Sequence, residues 1–476
     1  MNAQLQNRLS PSFHLLIGGR LVEGASTFDV IDPATEQPVA TCPRADVAQL
    51  NLAVASAKAA FPAWSATPIA ERRKLILQLA DALTVHSEEL AKLLTQEQGK
   101  PLMGARFEIG GAIGITRVLA GLDLPLKVLK DDATGRIVQQ RTPLGVVAAI
   151  TPWNFPLILL MTKVAPALLA GNTVVAKPAA TTPLTTLRLG ELCAAIFPAG
   201  VVNVIADMND LGNALTSHPD VAKVAFTGST ATGKKVMASV ASTVKRLTLE
   251  LGGNDAAIVL DDVDPREVAP KVFHAAMVNS GQVCLAAKRV YVPDSLYDAF
   301  CAELGKLAEA AVVGNGLDAA TQFGPLQNKA QYQKVRGYIE EARQRGKIIA
   351  GGTPVSGPGY FIRPTIVRDI PDDTRLVQEE QFGPVLPVLR YSTLDEAITR
   401  ANSTDFGLGA TVWSSNTERA YEVALKIQSG TVWVNKHLDL PPDVPMGGAK
   451  QSGFGSEMGV DGLEEFTQAK IINIAR

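Results

Sequence analysis

The feature that most constrains this chain is an alternation, between Gly145 and Val259, of short apolar runs with stretches of helical period. Residues 146–150, 173–176, 201–205, 222–226 and 256–259 read as strands, and roughly 156–170, 183–197, 207–217 and 230–241 as helices between them. Continuously apolar strands joined by crossover helices build a parallel sheet covered on both faces, an architecture common in nucleotide binding. A second alternating region follows from about 288 to 434. Its strands are expected at 290–292, 365–367, 385–389 and 431–434, and its helices near 295–311, 328–345, 394–402 and 417–427. Ahead of both, residues 46–99 carry an alanine- and leucine-rich helical pattern in which Pro68 suits a first turn. Residues 136–141 and 469–474 read as two further strands, candidates for a protruding, oligomer-forming sheet.

At 476 residues the chain is long enough for two or three domains with a large core. Its 45 basic and 47 acidic residues nearly cancel, so no electrostatic footprint for nucleic acid or an anionic membrane stands out. The polar start from Met1 to Pro11 has no apolar signal region, and the apolar stretch 155–170 is interrupted by Lys163 and Pro166. Secretion and membrane spanning are therefore not expected. Cys42, Cys193, Cys284 and Cys301 form no Cys-x-x-Cys pair, and the five histidines are scattered. That pattern predicts a reducing, cytoplasmic setting and no metal site.

Two segments suggest the chemistry. Glu250-Leu251-Gly252-Gly253 is followed 34 residues on by Cys284 in Ser280-Gly281-Gln282-Val283-Cys284, a carboxylate and a thiol each framed by small residues. A thiolate attacks carbonyl carbon well, and a positioned carboxylate can take its proton or activate water against a thioester. A lone cysteine is more often a small core hydrophobe, so either segment alone says little.

Residues 226–235 follow an expected strand and open an expected helix, where free N–H groups and the helix dipole favour an anion. Gly228, Gly233 and Lys234 nearly fit the G-x-x-x-x-G-K-[ST] loop of phosphoryl-transfer enzymes. Lys235 stands where magnesium needs a hydroxyl, which argues against that reading. The string does not match G-x-G-x-x-G either.

In order along the chain come Thr151-Pro152-Trp153-Asn154-Phe155-Pro156, Lys177-Pro178, the loop from Phe226 to Gly233, Glu250 to Gly253, Gly281 to Cys284, Glu380-Gln381-Phe382-Gly383-Pro384 and Pro445 to Gly453. This ordered set resembles the NAD(P)-dependent aldehyde dehydrogenase superfamily over nearly the whole chain. The resemblance implies a Rossmann-like dinucleotide-binding domain (1–120 and 143–252), a second α/β catalytic domain (253–450), and bridging segments (121–142 and 451–476) that form a small oligomerisation sheet. It also implies a homodimer or homotetramer.

By the same resemblance, Cys284 attacks an aldehyde, and the Asn154 amide with the Cys284 N–H holds the oxyanion. Donors in such sites are each worth about 2.7 to 4 kcal/mol. Hydride passes to NAD or NADP, and Glu250 activates the water that releases a carboxylic acid. Thr151, Pro152, Trp153, Lys177, Ala180, Gly228, Ser229, Gly233, Leu251, Gly252, Glu380 and Phe382 are implied for the cofactor, with Lys177 at the adenosine ribose. Lys163 and Glu457 match a proton relay. Phe155, Leu159, Thr162, Val283, Leu285 and Met446 line the implied substrate pocket.

Three departures bear on specificity. Ala180 stands where many NAD-preferring relatives carry a ribose-binding glutamate, which predicts that NADP is accepted. Thr162 and Met446 replace frequent aromatics, which predicts a roomy apolar pocket for medium-chain or aromatic aldehydes. Two other readings compete: a CoA-acylating relative, against which Glu250 speaks, and a catalytically silent nucleotide-binding protein, against which Cys284, Glu250 and Asn154 together speak.

Overall fold

The computed structural model describes residues 9, 10, 12–353 and 355–476, so all but two residues of the polar start lie outside the described residues. Eight strands form the first sheet, in the order Arg20–Val22, Leu15–Ile17, Val202–Val204, Thr173–Lys177, Val146–Ile150, Val221–Thr227, Arg246–Glu250 and Gly453–Phe454. The middle five run parallel, and the strands at both edges are antiparallel. Val146–Ile150 and Thr173–Lys177 are buried at every position, as strands covered on both faces must be. The helix Pro156–Ala170 connects them. Proline opens it, where a missing N–H costs nothing, and Gly171 at φ 98° closes it.

Chain order moves outward from Val146–Ile150 through Thr173–Lys177 to Val202–Val204, then resumes on the other side with Val221–Thr227 and Arg246–Glu250. This reversal leaves a crevice at the carboxyl ends of Val146–Ile150 and Val221–Thr227, the place where open α/β sheets take ligands. The helices Val47–Ala66, Ile69–Val85, Ser87–Gln98 and Leu102–Ala120 cover the sheet and its crossover helices. Asp46 caps the first by accepting the Gln49 N–H at 2.8 Å, and Pro68 takes the cap position of the second.

The second sheet has the order Lys347–Ala350, Thr365–Arg368, Val385–Tyr391, Ala287–Pro293, Asp255–Val259, Gly409–Trp413 and Thr431–Val434. It is parallel except at Lys347–Ala350. The run at 256–259, read from sequence with the first alternation, therefore belongs to the second sheet. The strand completing the parallel part of the first sheet is Arg246–Glu250, which its charged ends conceal. The helix expected over 207–217 shortens to Gly212–Ser217. Asp207 instead accepts the Leu211 N–H at 2.8 Å and Asn209 takes φ 63°, so the short polar side chains satisfy a loop in place of a helical turn.

Thr467–Ala475, Gly135–Pro143 and Lys127–Asp132 form a separate antiparallel sheet, with Ala469 opposite Arg141 and Ile474 opposite Arg136. No helix among the described residues is long and apolar enough to cross a membrane. The largest core surrounds the first sheet and takes in Val283, Leu285, Leu408, Trp433 and Met446. The cysteine segment is thus packed onto the sheet that carries Glu250.

Candidate active site

Glu250 ends the strand Arg246–Glu250 only 3 % exposed, and both its carboxylate oxygens lack a hydrogen-bond partner among the described residues. A buried carboxylate without donors is costly and serves a base better than it serves stability. Burial first, then the negative charge of Glu457, raise its pKa well above the ordinary carboxylate value, and Lys163 opposes them.

Cys284 is half-buried at the end of a tightly turned segment. Asn279, Ser280 and Gly281 take φ values of 52°, 55° and 72°, three consecutive left-handed residues. Non-glycine residues rarely adopt this conformation, and here side chains hold it. The Ser280 hydroxyl donates to the Gly324 carbonyl at 2.7 Å, and Gln282 accepts the Gln327 N–H at 2.9 Å. Gly281 is needed for a second reason, since a Cβ there would lie 2.3 Å from the Gly383 carbonyl oxygen. Beneath the turn, buried Lys288 donates to the carbonyls of Val283 at 2.8 Å and Cys284 at 2.6 Å. Burial pushes the Cys284 thiol up to about 12, with Lys288 pulling the other way and the carboxylates of Glu380, Glu250 and Asp255 adding to the rise. The other cysteines are buried in the core.

Asn154 reaches the same turn: its side-chain amide donates to the Gln282 carbonyl at 2.9 Å, leaving one amide hydrogen free. The Cys284 N–H also has no protein acceptor among the described residues. The Asn154 carbonyl accepts from Asn279 Nδ2 at 3.2 Å and from Lys100 Nζ at 2.8 Å. Lys100 is buried, bonds Glu108 at 2.6 Å, and sits 3.7 Å from the centre of the Phe155 ring. Glu108 in turn accepts the Leu157 and Ile158 N–H groups that open the helix Pro156–Ala170. A buried ion pair therefore fixes the loop that presents Asn154.

The crevice edge has the shape of a cradle. A Cβ on Gly228 would lie 2.5 Å from the Phe226 ring, one on Gly233 2.4 Å from Leu251 Cδ2, and one on Gly252 2.5 Å from Glu380 Oε2. Ser229 caps the helix Thr230–Val240 by accepting the Thr232 N–H at 3.2 Å. The Thr151 hydroxyl is buried and, among the described residues, unpartnered. Trp153 and Phe382 meet edge to face with centroids 5.3 Å apart, and Glu380 accepts the Gly253 N–H at 2.9 Å. An exposed helix start, an orphaned hydroxyl and an aromatic pair fit an elongated anionic dinucleotide. Lys177 donates to Asp207 at 2.6 Å, and Ala180 donates its N–H to the Asn209 side chain at 3.3 Å. Among the described residues no group of three or more His, Cys, Asp or Glu could hold a metal.

A family model described as "Aldehyde dehydrogenase family" matches residues 21–472. The chain belongs to that family. This aldehyde dehydrogenase is 41 % identical over 480 residues to phenylacetaldehyde dehydrogenase of Pseudomonas fluorescens, covering 97 % of this chain and 95 % of the relative. It superposes with a TM-score of 0.95 and 37 % identity on an NAD+ complex of aldehyde dehydrogenase from Bacillus cereus, covering 98 % and 99 % of the two chains. A structure titled as an Escherichia coli NADP-dependent enzyme matches at a TM-score of 0.95 and 35 % identity, over 97 % and 98 %. The enzyme is thus an aldehyde dehydrogenase oxidising aldehydes with NAD(P)+.

Within this aldehyde dehydrogenase, Lys163 and Glu457 lie together in the interior. Lys163 Nζ donates to Glu457 at 2.5 Å and to the Thr227 hydroxyl at 2.6 Å. Met446 and Glu457 exchange backbone hydrogen bonds at 2.9 and 2.8 Å, which anchors the carboxylate. Thr162 donates to Glu457 at 2.9 Å, so its hydroxyl is spent on this polar cluster. Phe155 and Leu159 are half-buried, whereas Val283, Leu285 and Met446 belong to the core. His437 Nε2 lies 2.6 Å from the Leu285 carbonyl. Sequence reasoning passed over Lys100, Glu108, Lys288 and Asp207, since single charged residues without a motif read as solvated positions.

Proposed function

We propose that the enzyme converts medium-chain or aromatic aldehydes to carboxylic acids through a Cys284 thiohemiacetal and thioester, with water as acyl acceptor. The observation that carries this reading is Glu250: a buried carboxylate with two free oxygens, close enough to Cys284 for its charge to raise the thiol pKa. A thiol held near 12 needs a base, and Glu250, itself raised, is matched to take that proton. The free amide hydrogen of Asn154 and the Cys284 N–H then receive the negative charge that develops on the carbonyl oxygen.

A nicotinamide bound here would supply the hydride acceptor that oxidation of the Cys284 adduct requires. Thr151, Pro152, Trp153, Gly228, Ser229, Gly233, Leu251, Gly252, Glu380 and Phe382 would hold the dinucleotide along the carboxyl edge of domain segments 1–120 and 143–252. Once the thiol proton has left it, Glu250 takes a proton from water, whose oxygen adds to the thioester carbon. Collapse breaks the C–S bond, frees the acid and returns the thiolate. Lys163 and Glu457 offer the proton a route away from Glu250. The resemblance to phenylacetaldehyde dehydrogenase supports an aromatic substrate, as do Phe155, Leu159, Val283, Leu285 and Met446 with no frequent aromatic at 162 or 446. The sheet formed by Lys127–Asp132, Gly135–Pro143 and Thr467–Ala475 is proposed to join protomers in a homodimer or homotetramer.

The test is reduced-nicotinamide formation by wild type and Cys284→Ala with hexanal, benzaldehyde and acetaldehyde, with and without CoA. Turnover lost in the variant and indifferent to CoA supports the reading. Turnover that requires CoA refutes water as acceptor, and a higher kcat/KM for acetaldehyde than for the other two refutes the substrate class.

A further inference from the structure

The strand order gives the span that a dinucleotide in this crevice would have to cross. Cys284 and Glu250 place the reacting end over Arg246–Glu250, and the crevice lies between Val221–Thr227 and Val146–Ile150. A dinucleotide crossing that crevice reaches the end of Thr173–Lys177 after three strand spacings, ~14 Å. The family resemblance would put its adenosine ribose at Lys177, next to the corner where Ala180 meets Asn209. Ala180 removes the carboxylate expected there, yet the opposite wall supplies one.

We propose that Asp207 is the residue that selects NAD+ over NADP+, acting through Lys177. This rests on the oxidation reading above and reverses the expectation drawn from Ala180 alone. Asp207 is fully buried; one carboxylate oxygen accepts from Lys177 Nζ at 2.6 Å and the other from the Leu211 N–H at 2.8 Å. Lys177 Nζ spends a second hydrogen on the Pro178 carbonyl at 3.4 Å, which leaves one donor, enough for a neutral ribose hydroxyl. A 2′-phosphate would instead meet an ammonium already neutralised, with a fixed negative charge directly behind it. Arg44, the other cation bonded to this loop, is itself held by Asp210 at 2.6 Å. Asn209 closes the corner from the side by accepting the Ala180 N–H. The loop thus offers no free cation to a second phosphate.

The test is calorimetric titration of the wild-type enzyme, without aldehyde, by NAD+ and NADP+, repeated with Asp207→Asn, which keeps an acceptor for Leu211. The expected result is NAD+ bound at least about tenfold more tightly by wild type, with that ratio narrowed in the variant because NADP+ gains affinity. AMP and 2′,5′-ADP titrated into wild type report on the same corner without any substitution, and AMP is expected to bind more tightly. Equal or tighter NADP+ or 2′,5′-ADP binding by wild type overturns the proposal, as does a variant that loses both dinucleotides by one common factor. Dinucleotide binding with no aldehyde-dependent turnover would strike the oxidation reading and leave the binding ratio, and so this proposal, decided. Binding of neither dinucleotide overturns both.

Discussion

Lys100→Met tests whether the buried pair behind Asn154 positions the oxyanion donor. Lys100 and Glu108 are 2.6 Å apart with side chains 2 % and 0 % exposed, so removing the ammonium strands a carboxylate where water does not reach. Breaking such a pair from one side costs about 3–5 kcal/mol, a large part of the 5–15 kcal/mol that holds a typical domain. Adding Glu108→Gln removes the stranded charge yet keeps a carbonyl acceptor for the Leu157 and Ile158 N–H groups. The double variant should therefore lose only about 1–3 kcal/mol, the scale of the remaining unpaired bonds. Activity should not recover in parallel, because the Asn154 carbonyl has lost its 2.8 Å bond to Lys100 in both variants. A misplaced oxyanion donor costs about 10²–10³ in kcat. Urea denaturation and steady-state kinetics read the two effects separately, with NAD+ affinity as an unchanging control. A double variant as unstable as the single one would refute the stranded-charge argument. Wild-type kcat in either variant would refute the positioning role.

Glu250→Gln should slow both the burst of reduced nicotinamide and the steady state by about 10²–10⁴-fold; a burst of wild-type rate and amplitude would place Glu250 after, not before, the hydride step. Because burial and Glu457 raise the Glu250 pKa in the folded state, its contribution to stability is present below the ordinary carboxylate pKa and is lost as pH rises toward the raised value. The same variant should accordingly raise Tm at pH 8 and leave it nearly unchanged at pH 4, and an equal shift at both would contradict the raised pKa. Gly453→Ala should destabilise by about 1–3 kcal/mol in urea, since its φ is 130° and a Cβ would sit 1.9 Å from the Leu249 carbonyl oxygen in the strand that ends at Glu250; a neutral result would show that the edge pairing yields freely. Ile472→Lys with Ile474→Lys, at residues 36 % and 47 % exposed on one face of Thr467–Ala475, should lower the mass seen by light scattering, and an unchanged assembly would remove this sheet from the interface.

What was legible in the sequence is what repeats or clusters locally. The helix Pro156–Ala170 and the strands Val146–Ile150 and Thr431–Val434 were readable to the residue because an apolar period and a boundary signal coincide there. Arg246–Glu250 and Gly409–Trp413 escaped, the first because charges mark both its ends and the second because it opens on a glycine needed for space, where a Cβ would lie 2.3 Å from Asp255 Oδ2. The pairing of 136–141 with 469–474 was visible only as two separate strands, and their register appears once the chain has closed. Charges behave differently from periods. Glu250 stands out in the sequence for its glycine frame, but the role proposed for it depends on being buried without donors, which no local pattern encodes. Lys100, Lys288 and Asp207 carry no frame at all. Their partners are the Asn154 carbonyl, the Cys284 carbonyl and Lys177, at separations in sequence of 54, 4 and 30 residues. A buried charge costs several kcal/mol unless something satisfies it, so each of these three is held in place by the group it orients. Motifs point to the atoms proposed to react, and the unannounced charges beneath them decide where those atoms stand.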